Sequence, residues 1–232
     1  MPPTATRGKV LFILSGANLL TMKDGSYHPT GYWSEELLTP YRAFRDDGYR
    51  AEFATPVGHR PLPDERSLEG DAGQQLAEID GLDEPLALDD VEAGDYAAVF
   101  VPGGHAPLED LATDEVAGRL LTGMLELGRP VGALCHGPAA MLAARREDGS
   151  PTFAGYRMTA FTDQEEQRGG LAGNLRFLLQ DELEAMGANF VPGAPFEPHI
   201  ENDRNLHTGQ NPQSSTLIAA GMLAALEAGG GR

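Results

Sequence analysis

Short apolar runs alternate with longer amphipathic stretches along most of the chain. Lys9 to Ser15 is a continuous β-branched, aliphatic and aromatic run, the pattern of a strand buried on both faces of a parallel sheet. Tyr49 to Ala54, Tyr96 to Val101 and Arg129 to Leu134 repeat that pattern, and Arg157 to Phe161 and Asn189 to Val191 are shorter candidates. Between them, residues Gly31 to Asp47 read as a helix with Leu37, Leu38, Tyr41 and Phe44 on its apolar side, stopped by Gly48 and kinked or restarted at Pro40. Thr113 to Leu127 reads as a helix capped by Thr113, with Glu115 and Glu126 on its polar side. Leu175 to Met186 is an amphipathic helix ending at Gly187. Pro198 to Asn202 and Asn205 to Thr208 can pair across Asp203-Arg204. Asn211-Pro212 opens a final helix to Glu227, and Gly229 to Arg232 reads as a frayed tail.

Strands alternating with helices imply an α/β fold, a mostly parallel sheet with helices on both faces. The segment after Ser15 reads as a polar loop up to Thr30. Residues 56–94 are rich in Pro, Gly, Asp and Glu, with a weak helix around Gln74 to Ile79. They hold too few large apolar residues for a second core, so they read as a loop-rich excursion from one domain spanning residues 1–232.

Charge narrows the partners. With 17 basic against 35 acidic residues the net charge is -18, which argues against nucleic acid and anionic membranes. The only lysines, Lys9 and Lys23, follow no phosphate-cradling glycine loop, so no nucleotide cofactor is expected. The run Val10 to Leu14 is too short for a secretory core and is broken by Ser15-Gly16-Ala17-Asn18, and no stretch approaches membrane-spanning length. A single cysteine excludes an internal disulfide and suits a reducing, cytoplasmic compartment.

That cysteine, Cys135, is the centre of the candidate chemistry. The run Val131 to Leu134 leads into Cys135-His136-Gly137-Pro138 and then a helix-forming Ala/Met/Leu segment. Pro suits a first helical turn, so Cys135 is expected on a tight strand-to-helix elbow that aims its side chain into a cleft. A helix N-terminus beneath it would favour the thiolate. A lone Cys is otherwise a small buried hydrophobe. Ligands bind at the carboxyl ends of parallel strands, and two other strand ends are marked, Ser15-Gly16 and Pro102-Gly103-Gly104-His105. The N–H groups of Gly103, Gly104 and His136 could form an oxyanion hole.

Glu35 and Glu36 lie together on the first helix, where at least one should face solvent, and Tyr32 and Trp33 could be core or pocket wall. Asp163, Glu165 and Glu166 follow a strand end, where acids favour a helix N-terminus or could orient an imidazole. His28, His59, His199 and His207 read as loop or sheet-edge residues, and with no His-Glu-x-x-His and no Cys cluster no metal site is expected.

Five segments in order resemble the ThiJ/PfpI superfamily, whose fold is flavodoxin-like and similar to class I glutamine amidotransferases. They are Thr30-Gly31-Tyr32-Trp33-Ser34-Glu35-Glu36-Leu37, Val101-Pro102-Gly103-Gly104-His105, Ala133-Leu134-Cys135-His136-Gly137-Pro138, Phe161-Thr162-Asp163-Gln164-Glu165-Glu166 and Thr208-Gly209-Gln210-Asn211-Pro212. Within it the likeness is to the glyoxalase III-like and heat-shock-chaperone branch, over about Lys9 to Leu226. The resemblance implies that Cys135 is a nucleophile partnered by His136, that the pocket acid is Glu36, five residues after Gly31, and that Glu166 is the acid behind the imidazole. Trp33, Gly103, Gly104 and His105 would shape the substrate and oxyanion site. Ala106 departs from the branch, which usually has Gly there. The implied activity is cofactor-free conversion of a 2-oxoaldehyde such as methylglyoxal to a 2-hydroxy acid such as lactate. A holding chaperone, or a deglycase or peptidase using the same thiol, are the alternatives, and a homodimer is left open.

Overall fold

In the computed structural model, which describes residues 6–229, seven strands form one sheet flanked by helices. The elements are β1 Lys9–Ile13, β2 Leu19–Thr21, β3 Tyr27–Pro29, α1 Ser34–Asp46, β4 Arg50–Thr55, α2 Ala72–Ala77, β5 Leu86–Ala87, β6 Ala98–Val101, α3 Glu115–Glu126 and β7 Val131–Leu134. They continue with β8 Arg157–Met158, α4 Asp163–Gly169, α5 Leu179–Ala185, β9 Asn189–Phe190, β10 Ile200–Asp203, β11 Leu206–Gly209 and α6 Ser215–Gly229. The strand order is β10-β11-β7-β6-β1-β4-β5, parallel throughout except for the β10–β11 hairpin. No helix among the described residues is long and apolar enough to cross a membrane.

The two-residue period of the strands divides the core. Leu11, Ile13, Val99, Val101, Val131 and Ala133 face α3 and α5, packing with Leu121, Met124, Leu179 and Leu183. Val10, Phe12, Ala98 and Phe100 face α1 and α6, packing with Leu37, Phe44, Ile218 and Met222. Gly132 is required on that second face, since a Cβ there would lie 2.1 Å from the Met222 sulfur.

Several sequence expectations need correction. α1 starts at Ser34 rather than Gly31 and runs through Pro40 without a break. Asp114, not Thr113, caps α3, accepting the Ala117 N–H at 2.8 Å. The loop before Thr30 holds the β2–β3 hairpin. Residues 56–94 are not wholly outside the core: β5 extends the sheet beside β4, and Leu76, Ile79, Leu82, Leu88 and Val91 are buried. The expected strand at Arg157 to Phe161 pairs only over Arg157–Met158, in a separate two-stranded sheet with β9. Beyond it, the Thr159 N–H is taken by a side chain, Thr208 Oγ1, so no ladder continues. Leu175 keeps its core contact, but an extended Leu178 delays α5 to Leu179. Pro212–Ser214 form a separate 3₁₀ turn before α6. Gly229 closes α6, and the rest of the expected tail lies outside the described residues.

Candidate active site

β7 ends at Leu134, and the next residue turns sharply. Cys135 has φ 59°, a left-handed conformation that costs a non-glycine residue on the order of 1 kcal/mol or more. Two backbone bonds hold it there: the Cys135 N–H donates to the Gly209 carbonyl, and its carbonyl accepts the Phe161 N–H, both at 2.9 Å. After His136 the chain enters a seven-residue 3₁₀ helix, Gly137–Ala143, rather than the expected α-helix.

The elbow sets Cys135 against three side chains. The Sγ lies 3.4 Å from His136 Nδ1, and His136 Nε2 lies 2.5 Å from Glu166 Oε1. His105 Nε2 reaches the same carboxylate, at 3.2 and 3.3 Å. An ionised carboxylate only accepts, so both imidazoles donate their Nε2 protons to Glu166. This leaves His136 Nδ1 unprotonated and facing the sulfur, the arrangement a thiol's base needs. His105 stacks on His136 with ring centres 4.1 Å apart, and Phe161 covers His136 at 4.7 Å.

Beneath the sulfur lies Glu36, fully buried on the first turn of α1, while its neighbour Glu35 is exposed. Glu36 Oε2 accepts the Gly103 N–H at 2.7 Å, Oε1 has no hydrogen-bond partner among the described residues, and the carboxyl lies beside Cys135. Gly103 cannot therefore serve the expected oxyanion hole, because Glu36 already holds its N–H. The Gly104 N–H instead faces the Cys135 sulfur. The His136 N–H meets no protein acceptor among the described residues. Gly103 is needed for close approach: a Cβ there would lie 2.6 Å from both His136 N and Leu134 O.

Burial dominates the protonation states. It raises the Glu36 carboxyl to about 8, against partial relief from the Gly103 N–H. Burial, and then Glu36, push the Cys135 thiol well above its ordinary value. Thus the expectation of a thiolate stabilised by a helix N-terminus is not met: the helix is 3₁₀, and Cys135 is only 4% exposed. Burial, and then His105, lower His136 to about 4, so its ring is neutral at neutral pH. Burial alone would raise Glu166, but the imidazoles of His136 and His105 outweigh it and hold the carboxylate ionised.

Glu36 thereby couples stability to alkaline pH. A carboxyl raised on folding stabilises the fold below its ordinary value of 4.5 and loses that contribution as pH rises through about 8. Wild type should lose more Tm between about pH 6 and pH 9 than Glu36→Gln, which cannot ionise. Parallel Tm curves for the two proteins would show that Glu36 is ionised at neutral pH.

Trp33, Gly104, His105, Cys135, His136 and Glu166 line one cavity of about 230 Å³, with Gly103 and Glu36 behind its wall. The other expected acids have different duties. Glu165 is fully buried and accepts from Thr162, the Phe196 N–H and Asn211, closing a capping box on α4. Asp163 is raised to about 6, by burial and then by Asp181, and stands away from the thiol. Tyr32 is core, and His207 sits buried on the interior strand β11 rather than at an edge. Ala106 fits without strain as the first residue of a 3₁₀ turn. The donor atoms of His105, His136 and Glu166 lie within 4.8 Å of one another, a grouping with metal-ligand chemistry that no sequence spacing announced.

The model of the DJ-1/PfpI family matches residues 28–225. The chain belongs to the DJ-1/PfpI family. Among relatives, a protein/nucleic acid deglycase HchA of Escherichia coli O1:K1 is 31% identical over 242 aligned positions, covering 97% of this chain and 82% of that protein. Glyoxalase 3 of Candida albicans is 29% identical, covering 94% of this chain and 98% of the other. The crystal structure of glyoxalase III from Candida albicans superposes with a TM-score of 0.78 at 26% identity, covering 94% of this chain and 97% of that one.

Among the residues of this DJ-1/PfpI cavity that sequence reasoning did not assign to the site are Arg66, Phe161, Leu171, Phe196 and Gln213. Phe161 opens a recognised segment but carried no assigned role. Arg66 lies in the acidic, Pro-rich excursion, and Phe196 in a loop where it adopts φ 63°. Nothing in their local sequence distinguishes either residue.

Proposed function

We propose that this protein converts a 2-oxoaldehyde such as methylglyoxal to a 2-hydroxy acid, without cofactor, through Cys135. The observation that carries the reading is a neutral His136 whose free Nδ1 faces the thiol while a buried, protonated Glu36 abuts it from the other side. A thiol with a base on one side and an acid on the other can add to a carbonyl without first ionising in the resting site.

The protons balance through one cycle. Sγ adds to the aldehyde carbon, its proton passes to His136, and Glu36 protonates the new alkoxide. The Glu36 carboxylate then removes the hydrogen from that carbon, while His136 protonates the neighbouring carbonyl oxygen. This gives an enediol bound to sulfur. Glu36 returns its proton to the second carbon, His136 takes the hydroxyl proton of the first, and a thioester results. Water attacks the thioester, its proton goes to Glu36, and the departing sulfur recovers the proton held by His136. The aldehyde carbon is oxidised and the ketone carbon reduced, so no outside electron acceptor is required. A Glu36 value near 8 suits a group that must both give and take a proton near neutrality. Gly104 and His136 N–H groups would steady the alkoxide. The relatives named glyoxalase and deglycase support an enzymatic reading, and deglycation through the same thiol is the second reading.

Purified protein should consume methylglyoxal and form lactate in equal amounts, with saturation, in buffer free of glutathione, amines and added metal. Methylglyoxal loss without lactate would reject the isomerase reading. Lactate released from a methylglyoxal-modified arginine peptide faster than the peptide sheds free methylglyoxal would favour the deglycase.

A further inference from the structure

Methylglyoxal does not fill this cavity. At roughly 30 Å³ of liquid volume per water-sized group, the five heavy atoms of methylglyoxal take up about 150 Å³ at most, and the cavity of about 230 Å³ has room for a longer tail. The surplus space is walled by Trp33, Phe161, Leu171 and Phe196, and one cation, Arg66, stands among the lining residues.

Arg66 is held rather than free. Its Nε donates to Asp64 Oδ1 at 2.9 Å and its Nη2 to Asp64 Oδ2 at 2.6 Å. Asp64 is buried, and its N–H donates to the Tyr32 carbonyl at 2.8 Å, so the pair is fixed to the segment that carries Trp33 into α1. Asp64 occupies one edge of the guanidinium. The remaining nitrogen, Nη1, makes no hydrogen bond with the described residues. A planar guanidinium oriented on one edge presents a directed donor on the other, suited to an anionic oxygen. Its charge is shared with Asp64, Glu166 lies in the same cavity, and the chain carries a net charge of -18. These favour a monoanion over a dianion, hence a carboxylate over a phosphate.

We propose that Arg66 is a specificity residue that selects 2-oxoaldehydes whose tail ends in a carboxylate, with the tail lying along the aromatic wall. The proposal rests on the reading of Cys135 as nucleophile toward 2-oxoaldehydes. Its alternative is that Arg66 merely balances the charge of Glu166.

The test compares 4,5-dioxopentanoate with the uncharged 2-oxopentanal in wild type, Arg66→Gln and Arg66→Lys. Wild type should favour the acid by about tenfold or more in kcat/KM, the scale of one charge-assisted contact. Arg66→Gln should erase that preference through KM of the acid while leaving 2-oxopentanal within about twofold, and Arg66→Lys should keep part of it. Equal kcat/KM for both substrates in wild type would overturn the proposal. So would a preference that persists in Arg66→Gln, or an equal loss on both substrates, which is the counter-charge outcome. Should neither aldehyde turn over, the enzymatic reading fails separately. The contact is then read from levulinate, which must slow iodoacetamide alkylation of Cys135 in wild type more than 2-pentanone does, and must lose that advantage in Arg66→Gln. Equal protection by both compounds would overturn it.

Discussion

Cys135→Ser is expected to lower kcat for lactate formation by on the order of 10⁴-fold or more, the cost of removing a covalent nucleophile from a unit that acts together. The fold should survive. Serine is close to cysteine in size, and the elbow is held by backbone bonds to Gly209 and Phe161 that a side-chain change leaves in place. A hydroxyl is also far harder to ionise than a thiol, and the burial that already raises Cys135 would act on it too. The check is a progress curve for lactate beside a thermal melt, with the variant's Tm within a few degrees of wild type. Wild-type turnover in a well-folded Ser variant would remove Cys135 from the mechanism. Any suppression of client aggregation should be unchanged in this variant, since it would rest on apolar surface.

Glu36→Gln is expected to reduce kcat by about 10²- to 10⁴-fold, the range for a general acid–base group, while Glu35→Gln changes it by less than about twofold. Residues adjacent on a helix point about 100° apart, and here one side chain reaches the sulfur while the other reaches solvent. The amide of Gln can still accept the Gly103 N–H through its oxygen, so the loop keeps its anchor. What Gln cannot do is surrender and recover a proton. The loss should therefore fall on kcat rather than KM. Kinetics on deuterated methylglyoxal would check it: the carbon–hydrogen step should become rate-limiting in the Gln variant. Equal and small losses at both positions would show that carbon-to-carbon proton transfer runs through another group.

The sequence carries the site unevenly, for physical reasons. The Cys135 elbow is legible because local residues make it: an apolar strand, then Gly137-Pro138, which favour a turn into a helical segment. The α/β layering is legible because strands buried on both faces read as unbroken apolar runs. Choosing Glu36 over Glu35 needed the family spacing, since two acids at the start of a helix look alike until packing decides which is covered. Choosing Glu166 over Glu165 needed it too, because both are buried: one meets two imidazoles and the other a set of backbone and amide donors. The protonation state of Cys135 was not legible at all. It depends on burial and on Glu36, a residue distant in the chain, and these outweigh the short 3₁₀ turn that follows the thiol. Arg66 is likewise set by tertiary placement, through its pairing with Asp64.

The two backbone bonds that clamp Cys135 also fix when the site can exist. One comes from the Phe161 N–H and the other ends on the Gly209 carbonyl, both later in the chain than the nucleophile they hold. A ribosome delivers Cys135 first and its two supports afterwards. Without β11 beside β7 the chain lacks one of the two bonds that hold Cys135 in its left-handed turn. The shape of the elbow and the cover over the thiol therefore share one support, and a chain truncated before Gly209 should lack it.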